Sequence, residues 1–221
     1  MPRKKDTEVL TREQILIAAL DMIEVTGLDD FSMRQLANQL GVNSKAIYYH
    51  VPSKDAIIIG AIELAFNEMR LPEVNEDDDW RENLRAIVAV YHRFAQTHPH
   101  LFLFLSTYND NIPVALTIDE QVAKVLMRAG FTPAITIQIV YMLLANITSA
   151  IATQLRGSSG KSNDYDHVHA QFKQLPLQQY PTIRAIADEI MPAQLETDFE
   201  FTIDIIIGGL EMLLKKQRNR L

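Results

Sequence analysis

The chain has 221 residues, 48% of them hydrophobic and 22% charged, with no cysteine and a net charge of −7. That length allows one large or two small domains with a sizeable core, and the balance excludes wholesale disorder. The absence of cysteine rules out a disulfide framework and thiolate metal sites, and it fits a reducing cytoplasm. The basic start Arg3-Lys4-Lys5 is followed by acidic residues where a secretory signal needs an apolar run, so secretion is disfavoured and a cytoplasmic location is expected.

Thr11 and Gln14 form the pattern of a capping box, after which Ile15, Ala18, Ala19, Met22 and Ile23 recur at helical spacing up to Gly27. Ser32 and Gln35 open a short second helix with Leu36, Ala37 and Leu40 as its buried stripe, and Gly41 ends it. A third helix of about two turns runs from Ser44 to His50, closed by Pro52. Ser53 caps a fourth, expected over 54–70. Leu71-Pro72 and the acidic run 76–79 mark a break in composition. The expected division is therefore 1–54, a connecting helix 55–71, and a second domain 72–221.

Beyond the break the pattern is helical throughout: Trp80 to about Thr97, Pro99 to Ser106, 115–129, a helix from Pro133 to about Leu155, 164–175, 182–190, and a last helix from Asp198 to about Lys216. No strand alternation, hairpin signal or internal repeat interrupts it. The predicted fold class is all-α.

Residues 129–155 carry no charged side chain, and their 27 positions suffice to span a bilayer of roughly 30 Å. Six polar residues from Gln138 to Gln154 and the lack of a flanking Lys/Arg cluster to set an orientation argue against a membrane span. A helix apolar on most sides is otherwise buried by its own domain and by a partner. The small residues Ala145, Ser149 and Ala152, and the Gly208-Gly209 pair amid Ile203, Ile207, Leu210 and Leu214, suit close helix approach. Two such helices from each of two chains predict a four-helix homodimer interface.

Helix 32–40, the turn at 41–43 and helix 44–50 have the lengths of a helix-turn-helix, whose second helix enters the DNA major groove. Around that helix, at about 100° per residue, Ile47 and Val51 turn inward while Lys45, Tyr48 and Tyr49 share the outside. One exposed tyrosine reads most simply as a ring half-covered at a helix junction. Two beside Lys45 and His50 read as flat apolar surfaces for thymine methyls and sugars, with hydroxyls for phosphate. Residues 1–60 hold seven Lys or Arg against eight Asp or Glu, so the DNA reading rests on where the cations sit.

Gly27-Leu28, Ser32-Met33-Arg34-Gln35-Leu36-Ala37, Leu40-Gly41-Val42 and above all the run from Ile47 to Ala56, IYYHVPSKDA, together resemble TetR-type, tetracycline-repressor-like transcriptional regulators. Val51 stands where many members have phenylalanine, as in the tetracycline-type branch. The resemblance implies an N-terminal three-helix DNA-binding domain followed by a larger helical ligand-binding and dimerisation domain. It implies that Lys45, Ala46, Tyr48, Tyr49 and His50 line the groove, that Arg34 reaches a base and that Lys54 grips a phosphate. Ser32 and Ser44, at the helix starts, complete the candidate DNA contacts. Arg3-Lys4-Lys5 is either an arm along the phosphates or minor groove, or a solvated terminus.

A weaker likeness to the ligand-binding half of the tetracycline-type branch runs through Asp79-Trp80-Arg81, His98-Pro99-His100, residues 129–133, Tyr180-Pro181 and Ile207 to Glu211. It implies a helical pocket over a dimer interface, with ligand binding releasing the operator. Candidate pocket residues are Tyr91, Phe94, Phe102, Phe104, Tyr108, Tyr141, Met142 and Asn146, which suggest a small apolar or aromatic effector. A gapless count from Trp80 puts Leu105 where tetracycline–magnesium binding needs a histidine, which argues against tetracycline itself. The pairs His98/His100 and His167/His169, two apart, point to different sides of a helix, so neither a metal site nor a cofactor is expected.

Two rival functions differ in class. An enzyme is disfavoured, because there is no cysteine nucleophile, Gly-x-Ser-x-Gly elbow, phosphate loop or dinucleotide turn, and no catalytic residue is assigned. The other is a helical protein-interaction module that uses the Tyr48/Tyr49 face and binds no DNA.

Overall fold

The computed structural model describes residues 10–74, 78–106, 116–158, 163–187 and 199–219. Among them there is no strand. The helices are α1 (Arg12–Thr26), α2 (Met33–Gln39), α3 (Ser44–His50), α4 (Lys54–Glu68), α5 (Trp80–Thr97), α6 (Pro99–Leu105), α7 (Leu116–Ala129), α8 (Pro133–Ser158), α9 (Asn163–Gln174), α10 (Pro181–Ile186) and α11 (Phe199–Arg218). The Arg3-Lys4-Lys5 segment and Tyr108 lie outside the described residues.

The chain forms two compact units, one of Met1–Leu71 with Arg93–Ile118 and one of Pro72–His92 with Asp119–Leu221. Residues 93–118 thus group with the first unit although they follow the composition break at 72. The reason is α6, which packs on α1.

In the first unit, local sequence signals set the helix starts. Thr11 accepts the amide of Gln14 at 3.2 Å while the Gln14 side chain accepts the amide of Thr11 at 3.0 Å, a complete capping box. Ile15, Ala19 and Ile23 of α1, Leu36 of α2, Ile47 of α3 and Ile57 and Ile62 of α4 are fully or almost fully buried. Gly60 lets α1 and α4 approach closely, since a Cβ there would lie 2.7 Å from Leu16 Cδ2. The end of α5 and α6 add a second layer. Phe94 packs at a tilt against Phe66 with ring centroids 4.3 Å apart, Leu101 and Phe102 are fully buried, and His98 Nδ1 lies 3.2 Å from Glu24 Oε1. A Cβ on Gly27 would meet the His100 ring at 3.4 Å. These two histidines therefore serve packing.

In the second unit α5, α7, α8 and α11 bury Leu84, Ile87, Val122, Leu126, Leu143 and Ile147. Trp80 stands edge-on to Phe131 at 6.3 Å. Arg81 pairs with Asp79 at 2.9 Å and with Glu211 of α11, and Arg85 pairs with Glu200 at 3.5 Å and with Asp204. The end of α11 closes the α7–α8 turn: Gln217 Nε2 donates to Gly130 O at 2.7 Å, and the Thr132 amide donates to Gln217 Oε1 at 3.3 Å. The segment Pro133–Leu155 is long and apolar enough to cross a membrane by length and composition, and a third of it is buried.

Candidate functional site

The loop before α3 is built from three local devices. Gly41 takes the left-handed φ of +67° that a side chain disfavours, and the Val42 amide donates to Ala37 O at 3.0 Å. Asn43 caps α3: its Oδ1 accepts the Ala46 amide at 2.9 Å. Ser53 does the same for α4, accepting the Ala56 amide at 3.0 Å.

α3 is held down by its apolar side and presents the other. Ile47 is 0% and Val51 1% exposed, and Leu36 beneath them is also 0% exposed. Tyr48 is 48% and Tyr49 87% exposed, with Lys45 exposed beside them. Ser44, Ala46 and His50 are half-buried. The Tyr49 and His50 rings meet edge-on at 5.2 Å. In the preceding helix Arg34 is exposed, while Ser32 caps α2 by accepting the Gln35 amide at 3.3 Å. Lys54 Nζ sits 5.5 Å from the centre of the buried Phe31 ring, a cation–π contact that fixes the start of α4.

The candidate effector residues scatter. Tyr91 is buried in the second unit and its hydroxyl shares a 3.1 Å hydrogen bond with Thr148. Burial first, and the nearby Asp119 charge in addition, push the Tyr91 hydroxyl above the usual phenol range, while the Thr148 bond lowers it. Phe94, Phe102 and Phe104 belong to the first unit, the first two buried and the third half-buried. Tyr141, Met142 and Asn146, expected inside the helical half, are instead exposed, Tyr141 by 70%. α8 turns Ile139, Val140, Leu143, Ile147 and Ile151 inward, which puts Tyr141 and Met142 on the opposite side and Asn146 at the edge of the buried stripe. Pattern reading missed Thr148, Asp119 and the His92–Gln154 bond of 3.0 Å, because single polar residues on an apolar helix carry no periodic signal.

The expected dimer residues also divide. Ala145 and Ser149 are exposed. Ala152, Ile203, Ile207, Leu210 and Leu214 are buried within the single chain and form its own core. The exposed apolar face of α11 is the other one, with Phe201, Ile205, Met212 and Leu213 beside Gly208 and Gly209. Of these, Ile205, Gly209, Met212 and Leu213 outline an open apolar groove of about 510 Å³ with Ile135 and Met142 of α8. Both faces of α11 are apolar, so the 3.6-residue period fits either inward orientation. Among the described residues no three His, Asp or Glu side chains converge as a metal site.

Residues 15–61 match the family described as bacterial regulatory proteins, tetR family, and residues 71–214 match the tetracyclin repressor-like C-terminal domain. An HTH-type transcriptional regulator of Saccharopolyspora erythraea is 34% identical over 123 residues, covering 56% of this chain and 52% of that protein, so the chain spans about half of that relative's length. The tetracycline repressor protein class A from transposon 1721 of Escherichia coli is 27% identical over 204 residues, 89% of this chain and 88% of that one. The HTH-type transcriptional repressor DrrR1 of Streptomyces coeruleorubidus is 23% identical, covering 98% and 83%. Among solved structures, apo ActR from Streptomyces coelicolor superposes with a TM-score of 0.81 at 24% identity, over 95% of this chain and 98% of that one. ActR in complex with actinorhodin gives 0.81 at 24%, over 93% and 98%. At that identity the structural likeness speaks for the fold.

Proposed function

This chain belongs to the TetR family of bacterial transcriptional regulators, and we propose that it is a dimeric repressor released from its operator by a small, largely apolar or aromatic effector. The observation that carries the reading is the division of α3, with Ile47 and Val51 buried and Tyr48 and Tyr49 exposed. In this reading Lys45, Ala46, Tyr48, Tyr49 and His50 line the major groove. Arg34 reads a base edge, and Ser32, Ser44 and Lys54 hold phosphates at helix starts.

The dimer forms through the exposed faces of α8 and α11, around Ala145, Ser149, Gly208 and Gly209, with the apolar groove beside them covered by the second copy. An exposed apolar surface of this kind is a partner surface in a soluble protein. The effector enters the helical half formed by residues 72–221, where Tyr91 supplies a buried polar group. Its binding changes the separation of the two reading helices from the roughly 34–36 Å that successive half-sites require. The place of work is the cytoplasm, where operator DNA is found. DrrR1 is named a repressor, and ActR is known bound to actinorhodin; both support a ligand-responsive repressor here.

The test is retention of the DNA upstream of the protein's own gene, together with sedimentation of the free protein. A dimer that retains this DNA in a salt-sensitive manner supports the reading. A monomer that retains none contradicts it.

A further inference from the structure

One aromatic ring joins the start of α4 to the start of α2. Phe31 stands directly before the Ser32 cap of α2, and Leu36 stands in the second turn, the spacing of a hydrophobic staple around that cap. Both side chains are buried. The same ring also meets a cation, because the Lys54 ammonium sits over it at 5.5 Å from its centre.

Lys54 is an unexpected residue at this place. It is the first residue of α4, where the helix dipole disfavours a positive charge. It is half-buried, the neighbouring Asp55 is exposed, and no carboxylate pairs with Lys54 among the described residues. A cation held at the positive end of a helix without a carboxylate is completed by an anion from outside. Ordering a free lysine side chain to meet such an anion costs rotamer entropy. A cation–π contact made beforehand removes part of that cost and leaves the charge intact, which is how preorganisation raises affinity.

We infer that Phe31 is a positioning residue for DNA binding, its ring holding the Lys54 ammonium ready for a backbone phosphate while it fixes the start of α2, the helix that carries Arg34. This rests on the reading of the first unit as the DNA-binding half. It adds a buried side chain to the residues that set operator affinity.

The test replaces Phe31 in the full-length protein by mono-, di- and trifluorinated phenylalanine, which weaken the negative ring face stepwise and nearly keep its shape, and measures retention of the upstream DNA. Affinity is expected to fall with each added fluorine, by about two- to five-fold per half-site in total. In a Lys54→Met background the same series is expected to have no effect, and Lys54→Met itself should lower the salt slope by about 0.9 per half-site. Circular dichroism checks that each protein is folded; should the trifluorinated form unfold, the monofluorinated form and the Lys54→Met slope carry the decision. In the free protein the Lys54 ε-methylene protons are expected upfield of those of the exposed Lys45, because they lie over a ring face. Affinity that ignores fluorination, a fluorine dependence that persists in Lys54→Met, an unchanged salt slope in Lys54→Met, or Lys54 protons that resonate with those of Lys45 overturns the inference. If the wild type retains the DNA while fluorination has no effect, only the positioning role fails. If the wild type retains none, the DNA-binding reading itself fails and the positioning role with it.

Discussion

Ile47 and Tyr48 are neighbours in α3, yet the first is 0% and the second 48% exposed. The helix is anchored by one residue and presents the next. Ile47→Ala should destabilise the protein by about 2–5 kcal/mol, the range for truncating a buried aliphatic side chain. Tyr48→Ala with Tyr49→Ala should change stability by less than about 0.5 kcal/mol per site, as surface substitutions do. Urea unfolding of the two variants checks the contrast.

Asn43 holds the first turn of α3 through the Ala46 amide. Asn43→Ala should lower stability by about 1 kcal/mol, and Asn43→Gly by only a few tenths, because glycine leaves the amide open to water. Thermal unfolding of the two variants resolves the order.

Gly60 sits where α1 crosses α4, with Leu16 Cδ2 at 2.7 Å from the position a Cβ would take. Alanine gains about 1 kcal/mol of helix propensity there, but the Leu16 side-chain end must shift to admit it, and overpacking of this kind costs about 1 kcal/mol or more. Gly60→Ala should therefore give no stabilisation, against the usual trend for a helical glycine, and a melting temperature raised by the full propensity gain would contradict this packing.

The two apolar faces of α11 make opposite predictions. Ile205→Glu with Leu213→Glu alters exposed residues and should yield a folded monomer. Ile207→Glu buries an unpaired charge in the chain's own core and should prevent folding. Sedimentation with circular dichroism separates the outcomes; a dimeric first variant would place the interface elsewhere.

What could be read from the sequence was what is local. The Thr11 capping box, the Ser32 and Ser53 caps, the glycine-ended α1 and the short α2–turn–α3 all follow from a few adjacent residues, and the structure forms them. The inward set Ile47 and Val51 was legible because the rest of α3 is polar or aromatic. In α8 and α11 apolar residues occupy every side, so periodicity does not distinguish the face toward the chain's own core from the free one. For that reason Tyr141 is exposed although it was read as inward, and Ile207 is buried in the chain's own core although it was read as facing a partner. The packing of α6 on α1, sealed by Glu24 and His98, depends on residues 74 positions apart that carry no mutual signal in one sequence.

The central claim is that the outward face of α3 reads DNA. The direct measurement is retention of the upstream DNA by the wild type and by the Tyr48→Ala/Tyr49→Ala variant across a salt series. The wild type should retain this DNA over unrelated DNA, with log affinity falling steeply as log salt rises, by about 0.9 per phosphate contact. The double variant should lose the preference for its own upstream sequence while remaining folded. A folded variant that retains that preference, or a wild type whose retention ignores salt, would contradict the account.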